Sequence, residues 1–383
     1  MKRNIILIIF IAVISHACGQ VLPGAYQTHE YLPLLQGKQI GIVANPSSVI
    51  NNTHLVDSLL SLNINITKVF APEHGFRGKA EAGDHIEDGK DAKTGLDIIS
   101  LYGNNRKPNK EQLIGIDLMI FDLQGVGTRF FTYISTLKYM MEACAENNIP
   151  LIVLDRPNPN AHYVDGPIMQ KEYESFVGLM PIPIVYGMTD GELAQMINGE
   201  HWNTKNCELL IIPIQNYSHQ TSYELPIKPS PNLPNYKSTY LYPTLCLFEG
   251  TKASIGRGTD FPFQVIGFPE YSNKDFQFTP HSIPGVSAHP KFKDQVCNGL
   301  DLRKLYPSIE DKPYQLNIQW WIDIYESYPN KEDFFIPFFE KLAGTQALRQ
   351  QIEKGLSEEA IRASWQQDLE DFKLKREQYL LYD

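Results

Sequence analysis

Short, uninterrupted apolar runs alternate with segments of helical periodicity in the first half of the chain. The apolar runs span 39–44, 66–70, 97–101, 117–121 and 150–154. Helices are predicted over about 54–61, 133–146 and 190–198, the last with Asp190 as its N-cap. Apolar runs without alternation indicate strands that are covered on both faces, hence a parallel sheet between helices. The pattern therefore predicts a Rossmann-like, doubly wound α/β fold with a mostly parallel sheet.

The pattern changes from Pro213 onward. Residues 226–243 contain five prolines, which is typical of a long loop or crossover. Strand-like pieces follow at 264–268 and 315–320, and helices are predicted at 338–342 and 357–379. We therefore predict two domains after the N-terminal segment. The Rossmann-like domain covers 22–245, and a smaller α+β domain covers 249–383 and completes a cleft.

The first residues have the pattern of an export signal. Two basic residues precede an apolar run at 5–14, which is too short to span a bilayer as a helix but suits a signal peptide. Ala17 before Cys18 resembles a bacterial lipoprotein cleavage site, whereas His16 is unusual there and leaves ordinary signal cleavage open. We expect 1–18 to be a signal peptide, and the protein to be periplasmic or anchored to the membrane through a lipid on Cys18.

Composition narrows the classes of partner. The formal net charge is −10, which argues against the nucleic-acid backbone as the main partner. An anionic small substrate remains compatible, because local basic residues override net charge. The cysteines after residue 18 form no CxxC pair and no Cys/His cluster of zinc-like spacing. No metal site is therefore predicted from them.

Polar residues follow the predicted strands, where ligands bind in open parallel sheets. They are Asn45, then Glu73 and His74, then Asp122 and Gln124, then Asp155, Arg156 and Asn158. Charged groups near a core are costly unless they are paired, so this edge of the sheet is a candidate site. The alternative is a set of helix caps and ion pairs, such as Arg156 with Asp155. A metal-dependent hydrolase built on Asp122, Asp155 and His74 is a further alternative.

Three glycine-flanked motifs carry the strongest chemical signals. Residues 73–78 (EHGFRG) offer Glu73 as a general acid. Residues 124–129 (QGVGTR) allow close backbone approach to a ligand and lack both the third glycine of a dinucleotide fingerprint and a Walker loop. We therefore expect no NAD, no ATP and no other cofactor. FEGT and SIGRGTD, at 248–260, suggest a second charged wall, with an exposed ion pair at a turn as the alternative.

These motifs together resemble a known family. The segments are VANPSS, APEHGFRG, FDLQGVGTRFFTY, LDRPNPN, DGP, YGMTDGELA, FEGT and SIGRGTD, in order from about Gly37 to the C-terminus. They are similar to the DUF1343 family, whose characterised members are exo-β-N-acetylmuramidases of the NamZ type. The resemblance implies a Rossmann-like catalytic domain, a smaller C-terminal domain and a cleft between them. It also implies release of N-acetylmuramic acid (MurNAc) from the non-reducing end of peptidoglycan fragments such as MurNAc–GlcNAc.

The family motifs carry over to particular residues. Glu-His-Gly falls on Glu73, His74 and Gly75, and Phe-Glu-Gly-Thr places its acid at Glu249. Glycoside hydrolysis usually needs two carboxyl groups. We expect Glu73 to be the general acid, with Glu249 as its first-choice partner and Asp122 as the second choice. Retaining, inverting and substrate-assisted routes all stay open at this point.

The substrate that the resemblance implies carries a lactyl carboxylate, which a guanidinium can bind. Arg129 and Arg257 are the candidates for that contact. Other candidate substrate-binding residues are Asn45, Arg77, Gln124, Asp155, Asn158 and Tyr186. The expected partners are peptidoglycan-derived saccharides, with no nucleic acid and with membrane contact only through an N-terminal lipid. A non-catalytic, exported sugar-binding protein is the competing class.

Overall fold

The structure is a computed structural model that describes residues 19–73, 75–77 and 88–383. The predicted signal peptide and Cys18 lie outside the described residues, so the export and lipidation hypotheses stay predictions. Among the helices that are described, none has both the length and the apolar character needed to cross a bilayer.

The secondary structure of the described residues alternates strands and helices as far as residue 212. The strands are β1 (Ile40–Ala44), β2 (Val49–Ile50), β3 (Thr53–His54), β4 (Ile66–Ala71), β5 (Gly89–Lys90), β6 (Asp97–Ser100), β7 (Leu118–Asp122), β8 (Leu151–Leu154), β9 (Leu209–Ile212), β10 (Val265–Phe268), β11 (Gln277–Phe278) and β12 (Cys297–Asp301). The helices are α1 (Thr28–Leu35), α2 (Leu55–Ser61), α3 (Lys110–Leu113), α4 (Tyr133–Asn147), α5 (Asp190–Gly199), α6 (Tyr236–Leu245), α7 (Ile318–Ser327), α8 (Phe338–Ala343), α9 (Ala347–Glu353), α10 (Glu358–Ala363) and α11 (Gln366–Arg376).

The central sheet has the strand order β5-β6-β4-β1-β7-β8-β9, and every pairing except that of β5 with β6 is parallel. Numbered along the chain, the parallel strands stand in the order 3-2-1-4-5-6, which is the Rossmann order. β1, β7 and β8 are buried along their whole length, as their apolar runs predict. The predicted Rossmann-like α/β fold is confirmed.

The C-terminal part is the smaller second domain. β10, β12 and β11 form an antiparallel sheet, and α7 to α11 follow it in the chain. One continuous apolar core includes Ile134, Leu247 and Trp321, so buried side chains of the two parts pack into each other. The limits drawn at 245 and 249 stay a prediction, because this shared core leaves no boundary between separate cores.

Several local predictions are wrong. Residues 318–327 form α7 and no strand, with Asn317 Oδ1 accepting from Trp320 N at 3.1 Å as the N-cap contact. The predicted helix at 357–379 is broken into α10 and α11. Thr189, and not Asp190, caps α5, because Thr189 and Glu192 exchange capping-box hydrogen bonds. The strand β9 had no counterpart in the sequence prediction.

Candidate active site

A cavity of about 420 Å³ lies where the turn after β4 and the start of α4 meet the turn at Cys246–Gly250 and α8. We call it the interdomain cavity. It is lined by Glu73, Tyr102, Arg106, Phe130, Thr132, Ser175, Phe176, Val177, Tyr242, Cys246, Glu249, Arg257, Phe338, Lys341 and Leu342. A larger depression of about 650 Å³, between α3 and the end of α4, contains none of the predicted site residues. The interdomain cavity is therefore the candidate active site.

Glu73 reaches this cavity directly from the carboxyl end of β4. The strand ends at the buried Ala71, and Glu73 follows two residues later with a half-buried side chain. Thr132, the residue before α4, donates its hydroxyl to Glu73 Oε2 at 3.1 Å. The hydroxyl orients the carboxyl group at the cavity, and among the described residues no side chain is recorded as a hydrogen-bond donor to Oε1.

Glu249 enters the cavity from the other domain. It sits on a short 3₁₀ turn, Cys246–Gly250, that follows α6. A Cβ on Gly250 would lie 2.4 Å from the Cα of Phe339, so only glycine permits this close packing of the turn against α8. Arg257 Nε donates to Glu249 Oε1 at 2.5 Å, and the guanidinium carbon of Arg257 lies 5.0 Å from the centre of the Phe263 ring. The turn thus presents a carboxylate with its own counter-charge.

Electrostatics keep Glu249 ionised. Burial by itself raises the pKa of this carboxyl group, but the positive charges of Arg257 and Lys291 outweigh burial and hold the pKa below its ordinary value. A group with a lowered pKa is a poor proton donor near neutral pH. Glu249 is therefore suited to act as a charged carboxylate beside Glu73.

Lys291 also fixes the position of the turn that carries Glu249. Its ammonium donates to the carbonyl oxygens of Phe248 and Thr251 at 2.8 and 2.7 Å, with Ala253 and Glu249 at 3.2 and 3.3 Å. The chain therefore wraps around one ammonium group. Sequence reasoning missed Lys291, because it lies about 40 residues from the turn and no local motif marks it.

Asp122 does not reach the cavity. Its two carboxylate oxygens accept from Arg156 Nε and Nη2 at 2.5 and 2.9 Å, and both side chains are buried. The alternative that Arg156 pairs with Asp155 is wrong in its partner, since the guanidinium of Arg156 pairs with Asp122. This bidentate pair at the end of β7 neutralises two charges that would be costly alone in the core. Asp122 is therefore a structural residue and drops out as the second carboxylate.

Asp155 is likewise enclosed by the protein's own donors. Its side chain accepts from Thr189 Oγ1, Gly191 N and Tyr382 Oη at 2.7, 2.9 and 2.7 Å. Burial raises the pKa of Asp155 to about 6 against these hydrogen bonds. Asp155 therefore connects the C-terminal residues to the end of β8 and is not available to bind a substrate.

The carboxyl group of Asp190 is buried beside that of Asp155. Its burial makes the free energy of unfolding depend on pH. Burial and then the charge of Asp155 raise its pKa from 3.8 to about 8, and its Oδ2 has no hydrogen-bond partner among the residues that the structure describes. The folded protein therefore holds a proton that the unfolded chain releases at lower pH, so stability falls as pH rises from about 4 to about 8.

Asp190→Asn should remove this loss, because the amide mimics the protonated acid. We expect a gain in unfolding free energy of up to several kcal/mol at pH 8, at about 1.4 kcal/mol for each unit of the pKa shift, and little change near pH 4, measured by urea denaturation. Asp371→Asn, at an exposed carboxylate of α11, is the matched control and should show no such pH-dependent gain. Equal effects of Asp190→Asn at both pH values would contradict the assignment.

Arg129 is fully buried and lies outside the cavity lining. Nη1 donates to the carbonyl oxygens of Pro167 and Ile182 at 2.8 and 2.7 Å. Nη2 donates to those of Leu342 and Ala343, at the end of α8, at 2.9 and 2.7 Å. Burial lowers the pKa of Arg129 to about 9. The structure thus corrects its candidate role, because these donors connect the two domains and are not presented to a substrate.

Arg77 is also used within the protein. Its guanidinium donates to Asp91 at 2.9 and 2.7 Å and to Asp57 at 3.2 and 3.0 Å, which joins the segment after β4 to α2. The guanidinium carbon lies 4.6 Å from the centre of the Phe76 ring. The guanidinium of Arg77 is thus paired with two carboxylates outside the cavity and is not available to bind a substrate there.

The remaining polar candidates at the strand ends support loops. Asn45 Oδ1 accepts from Ser47 N at 2.9 Å, as an Asx turn. Gln124 Nε2 donates to the Pro157 carbonyl at 2.7 Å, and Asn158 Nδ2 donates to that of Met188 at 2.8 Å. None of these three lines the cavity.

Tyr186 is 1% exposed and belongs to the apolar core, and it is absent from the cavity lining. His74 lies outside the described residues, so its role stays a prediction.

The structure therefore brings together three of the predicted residues: Glu73, Glu249 and Arg257. It adds two cations that the sequence reading missed, Arg106 and Lys341, which come from the loop before α3 and from α8. No motif in the sequence marks either residue, because Arg106 is one of several basic residues in a polar loop and Lys341 is a basic residue on a mostly apolar helix. Among the described residues, no group of three or more His, Cys, Asp or Glu side chains is arranged to hold a metal ion.

Comparison with family models covers nearly all of the described chain. Residues 40–237 match the model described as exo-beta-N-acetylmuramidase NamZ, N-terminal. Residues 240–382 match the model described as exo-beta-N-acetylmuramidase NamZ, C-terminal. The peptidoglycan beta-N-acetylmuramidase NamZ of Bacillus subtilis (strain 168) is 40% identical over 375 residues, which are 92% of this chain and 89% of that protein.

Two solved structures are similar in fold as well as in sequence. Both are crystal structures of DUF1343 family proteins from Bacteroides fragilis NCTC 9343. One is 47% identical with a TM-score of 0.88, and the other is 30% identical with a TM-score of 0.82. Each comparison covers 95% of this chain and 99% of the other.

Proposed function

The chain belongs to the NamZ exo-β-N-acetylmuramidase family, the DUF1343 proteins, and is a glycosidase; from this premise we propose that it releases MurNAc from the non-reducing end of peptidoglycan fragments such as MurNAc–GlcNAc. The observation that carries the proposal is the meeting of Glu73 and Glu249, from different domains, in one cavity. Two carboxyl groups facing a shared space are what glycoside hydrolysis requires. The Bacillus subtilis relative, named for action on peptidoglycan, supports the substrate class.

We assign different tasks to the two carboxyl groups. Glu73 gives its proton to the glycosidic oxygen, so that the bond from the MurNAc anomeric carbon to that oxygen breaks and GlcNAc leaves with a new hydroxyl group. Water supplies the hydroxyl group that the anomeric carbon of free MurNAc carries. Glu249, kept ionised by Arg257 and Lys291, stabilises the positive charge that develops on the sugar ring. Different environments for two nearby acids are the usual means of separating such roles.

Incubation of the purified protein with MurNAc–GlcNAc tests the proposal. Mass spectrometry should detect free MurNAc and GlcNAc, and the reversed disaccharide GlcNAc–MurNAc should stay intact because its non-reducing sugar is not MurNAc. Saturable binding of MurNAc–GlcNAc without release of MurNAc would contradict the proposal and support a sugar-binding protein. Proton NMR of the first product gives the stereochemistry: β-MurNAc indicates retention, whereas α-MurNAc indicates inversion with Glu249 acting on water.

We also propose that the protein is exported. It is then either periplasmic or anchored to the membrane by a lipid on Cys18. The proposal rests on the basic residues and the apolar run before Ala17 and Cys18. Cell fractionation with labelling by a palmitate analogue tests it. Loss of the label in Cys18→Ser supports lipidation, and a cytoplasmic location of the wild-type protein would contradict export.

A further inference from the structure

The charges around the interdomain cavity are unequally available to a ligand. Arg257 is paired with Glu249 at 2.5 Å, so its charge is balanced within the protein. A substrate carboxylate that approached Arg257 would also meet the negative charge of Glu249. Arg257 is therefore better placed to hold Glu249 than to bind an anionic substituent.

Arg106 is available to a ligand in a way that Arg257 is not. It lies on the exposed loop between β6 and α3, and no carboxylate within the described ranges forms an ion pair with it. Its guanidinium carbon lies 4.5 Å from the centre of the Phe176 ring. Phe176 in turn stacks on Tyr139, with centroids 6.2 Å apart and an interplanar angle of 10°.

This stacking prepares Arg106 for an anion. A guanidinium that lies on an aromatic face is held through its π surface, while its N–H groups point outward from its edges. These N–H groups match the two oxygens of a carboxylate in a bidentate contact. Phe176 therefore orients Arg106 at the cavity and leaves its hydrogen-bond donors for a ligand.

Lys341 supplies a second positive charge on the opposite domain. It is exposed on α8, and within the described part of the chain it forms no ion pair, whereas its neighbour Glu340 pairs with Arg349 at 2.7 Å. Arg106 and Lys341 thus give the cavity a local excess of positive charge in a protein of net charge −10. Such local charge attracts an anionic group despite the global balance.

We propose that Arg106 is the specificity-determining residue of this site, and that its guanidinium binds the lactyl carboxylate of the MurNAc residue, with Lys341 adding long-range attraction. The inference rests on the proposed function and deepens it. MurNAc differs from GlcNAc only by the lactyl ether, so the carboxylate is the group by which a site can select the anionic sugar. In this assignment Arg106 selects the substrate, and the bond-breaking step stays with Glu73 and Glu249.

The test compares two substrates that differ only at the lactyl carboxyl group: an aryl β-MurNAc glycoside with a free, charged lactyl carboxylate and its uncharged lactyl methyl ester. The wild-type enzyme should prefer the free acid in kcat/KM. Arg106→Met should lower kcat/KM for the acid by about 10- to 100-fold, mainly through KM, and leave the ester nearly unchanged. Arg106→Lys should restore part of the preference, because a charge remains without the bidentate geometry.

Lys110→Met, at a basic residue of α3 outside the cavity, is the matched control and should keep the full preference. Circular dichroism melts check that each variant is folded. An Arg106→Met enzyme that still prefers the acid, or a wild-type enzyme without any preference, would overturn the inference. Loss of the preference in Lys341→Met but not in Arg106→Met would also overturn it. Failure of the wild-type enzyme on both substrates and on MurNAc–GlcNAc would instead reject the proposed function.

Discussion

Glu73→Gln should lower kcat for hydrolysis of MurNAc–GlcNAc by about 10²- to 10⁴-fold, because the amide has the shape of the acid but cannot donate its proton to the leaving oxygen. The loss should be much smaller for an aryl glycoside whose leaving group is a weak base, since departure of that group needs little protonation. Thr132 can still donate to the Gln carbonyl oxygen, so the local geometry is retained. Initial rates on the two substrates measure both effects.

Glu208→Gln is the control for this experiment, because Glu208 is exposed and lies outside the cavity lining. It should keep wild-type rates on both substrates. Equal melting temperatures of the two variants would show that the loss in Glu73→Gln is chemical. Near-wild-type turnover of the disaccharide by Glu73→Gln would remove Glu73 from the role of general acid. An equal loss on both substrates would assign Glu73 a role other than protonation of the leaving group.

Arg129→Met should lower the unfolding free energy by more than about 3 kcal/mol, because it removes donors from four buried carbonyl oxygens, of which only that of Ile182 keeps another donor among the described residues, Met169 N at 3.2 Å. Two of these oxygens belong to the end of α8, the helix that brings Lys341 and Leu342 to the cavity. We therefore expect lower activity at temperatures where the variant is still folded. Urea denaturation and activity measured on the same samples test both statements.

The matched control is Arg349→Met. Arg349 is half-exposed and pairs with Glu340 and Glu353, so its loss should cost about 1 kcal/mol or less. A loss of stability in Arg129→Met no larger than that of the control would contradict the structural role of Arg129. It would then return Arg129 to the list of residues available for a ligand.

The apolar runs of the sequence were sufficient to predict the parallel sheet. A strand such as β7 is buried along its whole length, so its side chains need no alternation, and a short apolar run marks it directly. β9 is different, because its residues are only partly buried and its apolar run continues into Pro213 and the following loop. The strand predicted at 315–320 was wrong because Leu316, Ile318 and Trp320 alternate with polar residues as in a strand. The residues buried by α7 are instead Ile318, Trp321, Ile324 and Tyr325, which have helical spacing.

The candidate site was predicted only in part, and the residues show why. Sequence placed Glu73 and Glu249 by motif, and the position of Glu73 at the end of β4 follows from the strand itself. Sequence also offered Asp122 as the second-choice carboxylate, and Arg77 and Arg129 as substrate-binding residues, since each is a charged residue near a strand end or a glycine. Whether a charged side chain pairs internally or faces a ligand depends on partners that are distant in sequence.

The sequence by itself determined the α/β sheet, the smaller second domain and the family, because the apolar runs of buried strands and the long specific motifs are both visible in short stretches of sequence. Only the tertiary structure decided which charges are free. Arg129 donates to carbonyl groups more than 200 residues away, at the end of α8, and Asp122 pairs with Arg156, just after the end of the next strand, β8. Arg106 and Lys341, which sequence left unmarked, meet the two glutamates in one cavity. A buried charge must find a partner in space, and the fold alone supplies that partner.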